Sequence, residues 1–235
     1  MITVENLTHS FGSVTAVDDV SVRIEAGEFV VIAGANGSGK TTLVRHFNGL
    51  LEPDTGTVSV DGVDVATNPV TARTSIGMVF QQPRDQFVAA TVGADVAFGP
   101  ENLGLSRDEI DRRVANALAA VNMAGRDTER IDELSGGEQS RIAIAGALAM
   151  EPSVLVLDEP FTGLDDPSRR AVLEQLDSLA ARETGIVVVT HDLRDVLSRA
   201  DRLLAMVDGA LVVDADPADA ASALAAVDVR VPTRL

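Results

Sequence analysis

The sequence predicts an α/β domain built on a largely parallel sheet, with a helical block set into it. Three observations predict this. Short apolar runs at Glu28–Ala33, Val154–Leu157 and Ile186–Val189 read as strands covered on both faces, because no polar residue alternates along them. Helical stretches follow or join these runs: one from Thr41 to Leu50 after the first, and one from Ser168 to Ala181 between the other two, which makes a βαβ unit. From about Gln82 to Met150 the texture turns helical, between two strand-bearing parts.

Taken in order, Ile2–Leu7 and Val14–Ile24 are rich in β-branched residues with partial alternation and read as strands. Thr57–Val60 is a further strand, and Asp61-Gly62 a hairpin signal. Ser75–Phe80 reads as a buried strand. In the helical block, Ser106 and Glu109 have the spacing of a capping box, followed by Ile110, Val114, Leu118 and Val121 at helical spacing. Ala143, Ala147 and Met150 mark one stripe of a later helix. Asp208-Gly209 separates Leu203–Met206 from Ala210–Val213 as a second hairpin signal, and the Ala-rich tail from Pro217 to Val227 reads as helical. No repeat or low-complexity linker interrupts the chain.

Composition narrows the function classes. With 46% hydrophobic and 23% charged residues over 235 positions, the chain can bury a sizeable core, so disorder as the main state is excluded. Cys is absent, which rules out disulfides and thiolate metal sites. His9, His46 and His191 lie far apart, so a His-rich structural metal site is not expected. No apolar stretch reaches membrane-spanning length, and Met1–Asn6 has neither the basic nor the apolar region of a secretory signal. The 19 basic and 36 acidic residues give a formal net charge of −17, a surface that repels phosphate backbones and disfavours nucleic-acid partners. Lys40 is the sole lysine. Such a surface suits a salt-loving source, where dissolved salt screens carboxylate repulsion; a GC-rich genome favouring Arg, Ala, Asp and Val is the other account. The abundance of both Asp and Glu leans to the first.

One segment carries explicit chemistry. Gly34-Ala35-Asn36-Gly37-Ser38-Gly39-Lys40-Thr41 fits G-x-x-x-x-G-K-[ST] between a predicted strand and a predicted helix, the setting a phosphate loop requires. Glycines let backbone N–H groups turn inward around phosphate oxygens, and the helix N-terminus adds a favourable dipole. Lys40 is placed for the β- and γ-phosphates, the Thr41 hydroxyl for Mg²⁺, and Thr42 extends the same turn. The strand Val154–Leu157 ends in Asp158-Glu159, and strand ends of an α/β sheet face the ligand crevice. Asp158 is expected to hold Mg²⁺ through water, and Glu159 to polarise an attacking water.

Leu134-Ser135-Gly136-Gly137-Glu138, before a helix and upstream of the acidic strand, resembles the signature motif of ATP-binding cassette (ABC) ATPases. The family's order of phosphate loop, glutamine loop, signature, acidic strand, Asp loop and switch histidine runs over nearly the whole chain. The resemblance implies a P-loop NTPase (RecA-like) core with an N-terminal antiparallel β subdomain and an inserted α-helical subdomain. Residues 1–82 and 151–235 would form the core with its β subdomain, and 83–150 the helical subdomain.

It also implies roles. Phe11 matches the aromatic that stacks on adenine, where Tyr is commoner. Gln81 matches the glutamine that senses Mg²⁺ and the membrane partner, with Gln82 as a competing register. Asp165 in Thr162–Asp165 matches the loop that speaks across a dimer, and His191 the histidine that contacts the γ-phosphate. Glu138 stands where Gln is commoner. Ser135, Gly136 and Gly137 would close on ATP held by a second ABC ATPase subunit, giving a head-to-tail dimer with two composite sites. Glu159, His191 and Lys40 would carry hydrolysis, mostly by positioning and charge neutralisation.

A narrower resemblance rests on Phe80–Phe87 and on Thr91-Val92 with Asp95–Leu105. These look like the ATPases of energy-coupling factor transporters, including the cobalt/nickel and biotin types, with Gln86 and a Phe98-Gly99-Pro100 turn as discriminating features. That implies an importer of a vitamin or transition-metal ion, peripheral on the cytoplasmic face of the cell membrane. Its partners would be an integral membrane coupling subunit and a membrane substrate-binding subunit. A short helix of the coupling subunit is expected to dock in a groove with Gln81 at one end and Arg84–Phe87 along its wall. The competing function is a soluble ABC ATPase of cofactor assembly. Repair types need a long insertion between Lys40 and Ser135 that is absent, and translation types carry two cassettes where this chain has one.

Overall fold

The computed structural model describes residues 1–219 and 224. Strands β1 (Ile2–Phe11), β2 (Val14–Ile24), β4 (Thr55–Val60) and β5 (Val63–Asp64) form an antiparallel sheet in the order β2-β1-β4-β5. The second sheet, among the described residues, runs β10 (Ala210–Ala215), β9 (Arg202–Val207), β3 (Phe29–Ala33), β8 (Gly185–Thr190), β7 (Val154–Asp158), β6 (Ile76–Val79). All its pairings are parallel except the β9–β10 hairpin at one edge.

The apolar runs behave as double coverage demands. Along β3, Phe29, Val31 and Ala33 enter one buried cluster while Val30 and Ile32 enter another. The same split divides Leu155 and Leu157 from Val154 and Val156, and Ile186 and Val188 from Val187 and Val189. One cluster lies against helices α3 (Val92–Asn102), α4 (Arg107–Ala120), α5 (Gly136–Ala149) and α6 (Asp166–Ala180); the other takes in α1 (Lys40–Phe47) and the antiparallel sheet. Val96, Leu118 and Ile144 share their cluster with Leu155, so the helical block is built onto the sheet's own core.

Several elements differ from the sequence reading. Helix α1 stops at Phe47 rather than Leu50, because Gly49 takes a left-handed turn (φ 66°) and donates its N–H to the His46 carbonyl. A short helix α2 (Pro69–Ser75) precedes β6, capped by the Asn68 side chain accepting from Thr71 N–H, with Pro69 in its first turn. Phe98, Gly99 and Pro100 lie inside α3 and do not form a turn. Proline falls late in that helix, and a Cβ on Gly99 would sit 2.4 Å from Met150 Sδ, so this stretch is shaped by close packing on the end of α5. At Ser106 only half the capping box forms: Ser106 accepts from Glu109 N–H, but the Glu109 carboxylate turns to Arg112 and Arg113. In the tail, Pro217–Asp219 is one 3-10 turn; the rest of the expected helix lies outside the described residues apart from Leu224. No helix among the described residues is long and apolar enough to cross a membrane.

Candidate functional site

Parallel register brings distant motifs to one edge. Ala33 pairs with Thr190, Asp158 with Val189, and Val79 with Leu157. The strands β3, β8, β7 and β6 therefore end together, and the segments leaving those ends gather at one place: the loop from Gly34, His191, Glu159, and Phe80-Gln81.

The loop from Gly34 to Gly39 delivers Lys40 to the first turn of α1. Gly39 caps that helix with φ 100°, and a Cβ there would stand 2.2 Å from the Ala16 carbonyl oxygen, so only glycine fits. Ser38 and Lys40 are buried, Asn36 and Gly37 exposed, and Ala35 intermediate. Lys40 Nζ donates to the carbonyls of Gly34 (2.9 Å) and Ala35 (2.8 Å). Burial pulls its pKa below the ordinary lysine value, against the opposing pull of Glu159 and Asp158. Thr41 Oγ1 donates to Asp158 Oδ2 at 2.8 Å. Burial, foremost, raises the Asp158 carboxyl; the Thr41 bond and nearby Lys40 and Arg45 oppose it. Its other oxygen, Oδ1, is buried with no hydrogen-bond partner.

Glu159, 8% exposed, holds left-handed backbone at φ 50°, fixed by its N–H donating to the Val189 carbonyl. Its Oε1 accepts from the His191 backbone N–H (3.0 Å) and from His191 Nδ1 (2.8 Å), and its Oε2 from Thr190 Oγ1 (3.2 Å). An ionised carboxylate offers about four lone-pair sites, so about one remains for a further donor. Because a carboxylate only accepts, Nδ1 is the protonated nitrogen of His191 and Nε2 is left for another partner. Gln81 is exposed just beyond β6. Phe11 ends β1, 54% exposed, with His9 edge-on at 4.7 Å between ring centres.

The remaining expected residues form a second group. Ser135 caps α5 in a complete capping box: it accepts from Glu138 N–H, while Glu138 Oε2 accepts from Ser135 N–H (2.8 Å) and Ser135 Oγ (2.7 Å). Gly136 is exposed at the start of this helix. A Cβ on Gly137 would meet Ser168 Oγ at 2.6 Å, and Ser168 N–H is held by Asp165, the cap of α6. The Ser168 bonds hold the Asp165 carboxyl below its ordinary pKa. Among the described residues no hydrogen bond or ion pair joins this group to the first.

Two residues of these networks escape sequence reading. Thr190 tethers Glu159, and its only signal is its place before His191 at a strand end. Arg126 binds Glu138 Oε1 at 2.7 Å and lies in a stretch with no motif. The groove expectation holds for Gln86 as a wall residue and needs correction for Arg84 and Phe87. Gln86 points inward: its Oε1 accepts from Phe80 N–H and its Nε2 donates to the Ala143 carbonyl. Arg84 instead donates to Gln139, and Arg84 and Phe87 line a separate hollow with Ile131. Gln86 itself lines the groove, with Phe80, Val88, Asp95, Phe98 and Met150 among others.

The family described as "ABC transporter" matches residues 17–162. A putative ABC transporter ATP-binding protein of Halobacterium salinarum is 62% identical over 99% of this chain and 100% of its own length. An energy-coupling factor transporter ATP-binding protein of Clostridium tetani is 41% identical, with 92% of this chain and 79% of that one covered. A cobalt import ATP-binding protein of Syntrophus aciditrophicus is 46% identical over 85% and 72%. Among solved structures, CbiO1 of Clostridium perfringens, part of an ABC transporter complex, superposes with a TM-score of 0.84 at 34% identity, covering 94% of this chain and 90% of that one. A dimeric ATP-binding cassette bound to ADP and Pi superposes at 0.83 with 28% identity over 92% and 99%.

Proposed function

The chain belongs to the ABC transporter family of ATPases, and on that premise we propose that it is the ATP-hydrolysing subunit of an importer of the energy-coupling factor type. The observation that carries the catalytic part is the meeting of Lys40, Thr41, Asp158, Glu159 and His191 at one sheet edge. The loop N–H groups and Lys40 bind the triphosphate, and Phe11 offers an exposed ring to the adenine. Thr41 and Asp158 would hold Mg²⁺, with Gln81 beside them. The orphaned Asp158 Oδ1 and the adjoining hydroxyl are hard oxygen donors suited to it. When bound, the ion neutralises charge on the phosphate oxygens. Glu159, through its remaining lone-pair site, takes the proton of the attacking water, while Thr190 and His191 hold the carboxylate in place.

Ser135, Gly136 and Gly137 would complete a site on a second subunit's nucleotide; no hydrogen bond or ion pair among the described residues ties them to this chain's own phosphate loop. An integral membrane coupling subunit would seat a short helix in the groove of Val88 and Phe98, placing the chain peripherally on the cytoplasmic face of the membrane. A membrane substrate-binding subunit would present a vitamin or transition-metal ion. The test is co-expression with a coupling subunit of this type and reconstitution into vesicles. Uptake of biotin or cobalt that needs ATP and is lost in Lys40→Ala is expected. Full ATPase activity in that variant would refute the site, and failure of the pair to assemble would refute the transporter role.

A further inference from the structure

We propose that Arg126 is a positioning residue for the signature motif: by neutralising Glu138 it leaves Ser135 able to receive the triphosphate held by a second copy of this chain. The inference rests on the composite-site reading above. Glu138 brings a full negative charge to a helix N-terminus that must accept a polyanion. Its Oε2 takes both the Ser135 N–H and the Ser135 hydroxyl hydrogen, at 2.8 and 2.7 Å. The hydroxyl must therefore turn from a carboxylate to a phosphate, and the carboxylate left behind repels that phosphate.

Arg126 offsets this. Its Nη1 lies 2.7 Å from Glu138 Oε1, the oxygen the serine does not use, so one carboxylate bridges cation and cap. The rest of its guanidinium is pinned by Glu129, through Nε at 2.9 Å and Nη2 at 2.6 Å. No other cation makes an ion pair with Glu138 among the described residues. A planar fork shared between two carboxylates holds one geometry better than an ammonium would. The Ser135 hydroxyl and then Arg126 draw the Glu138 carboxyl down to about 2, so it stays ionised and the compensation is permanent.

The experiment uses the full chain in a Glu159→Gln background, where ATP is not consumed, and measures ATP-driven dimer formation by sedimentation. Adding Arg126→Ala should raise the ATP concentration for half-maximal dimer by about tenfold or more, the scale of an uncompensated charge at an interface. Adding Glu138→Gln as well should restore it to within about threefold, because the carboxylate that holds Ser135 is then gone and only the more distant charge of Glu129, which makes no contact with Ser135, remains. Arg126 Nη1 also lies 3.3 Å from Met123 Sδ, and Arg126→Lys, which keeps the charge if alanine unfolds the chain there, should lie between. Dimerisation unaffected by Arg126→Ala, or a defect that Glu138→Gln does not relieve, overturns the inference and gives Arg126 a packing role. A Glu159→Gln parent that stays monomeric with ATP overturns the composite-site reading itself.

Discussion

Thr41 hands its hydroxyl hydrogen to Asp158 across 2.8 Å, although 117 positions separate them in the chain. The contact joins the first turn of α1 to the end of β7, and it leaves Asp158 Oδ1 buried without a partner. A carboxylate oxygen kept dry and unpaired is costly unless something positive arrives.

Replacing either partner should therefore separate metal dependence from folding. Thr41→Val and Asp158→Asn are expected to lower ATPase by about a hundredfold or more, while Thr41→Ser keeps most of it. Nucleotide titrations with and without Mg²⁺ should show the metal's enhancement of affinity lost in the first two. An unaltered Mg²⁺ effect in Asp158→Asn would remove this pair from the metal site.

The acid limb of stability carries a second expectation. Glu138 has a folded pKa depressed to about 2, from the Ser135 hydroxyl bond first and Arg126 next. A depressed carboxyl contributes stability above its unfolded value near about 4.3 and loses it as pH falls through the folded one. Glu138→Gln should thus flatten the fall in melting temperature between about pH 4.5 and pH 2. Equal slopes for variant and parent would mean that Ser135 and Arg126 do not bind this carboxylate in solution.

The sequence made some of this legible and hid the rest for physical reasons. Strands β3, β7 and β8 were readable because burial on both faces leaves unbroken apolar runs, and the phosphate loop because its chemistry is local. Helix α2 spans only seven residues, too few for a periodic stripe, though Asn68-Pro69 carried its cap. Phe98-Gly99-Pro100 is expected as a turn from the family resemblance, yet it lies inside α3, where Gly99 allows the close approach of Met150. The Arg126–Glu138 bridge crosses from a loop to a helix start, and no spacing rule announces it. Likewise Gln86 looked free to meet a partner until its two backbone contacts were visible.

Salt should stabilise the fold. The sequence carries 36 acidic against 19 basic residues, few of the described ones buried, and many of the arginines are already paired, as in the Arg112, Arg113, Glu109 and Glu151 cluster. The excess is mutual repulsion, which at about 1 M salt is confined within a Debye length of about 3 Å. The melting temperature should rise from dilute buffer toward molar KCl, in keeping with the kinship to a Halobacterium salinarum protein. Exposed ion pairs weaken over the same range, but each contributes under about 1 kcal/mol, so repulsion decides the sign. A melting temperature indifferent to KCl would leave base composition as the account of the acidic sequence.

The groove between β6, α3 and α5 gives the last expectation. Val88 is 60% exposed and Phe98 47%, and both line it with Met150 and Asp95 near them. Apolar side chains open to water beside a few polar groups suit the apolar face of a short helix. Gln86→Ala is a poor probe of such docking. It would leave the part-buried Phe80 N–H without its acceptor and take a second donor from the Ala143 carbonyl, which α5 already serves, and a buried group left unpaired costs about 1–3 kcal/mol. Phe98→Asp with Val88→Asp changes only the exposed wall. That double variant should weaken co-purification with the membrane coupling subunit by about tenfold or more, as loss of a central anchor does, while the isolated protein keeps its ATPase within about twofold. Lost ATPase with assembly intact would place this wall in the catalytic machinery, and assembly unchanged by two new carboxylates would move the docking surface elsewhere.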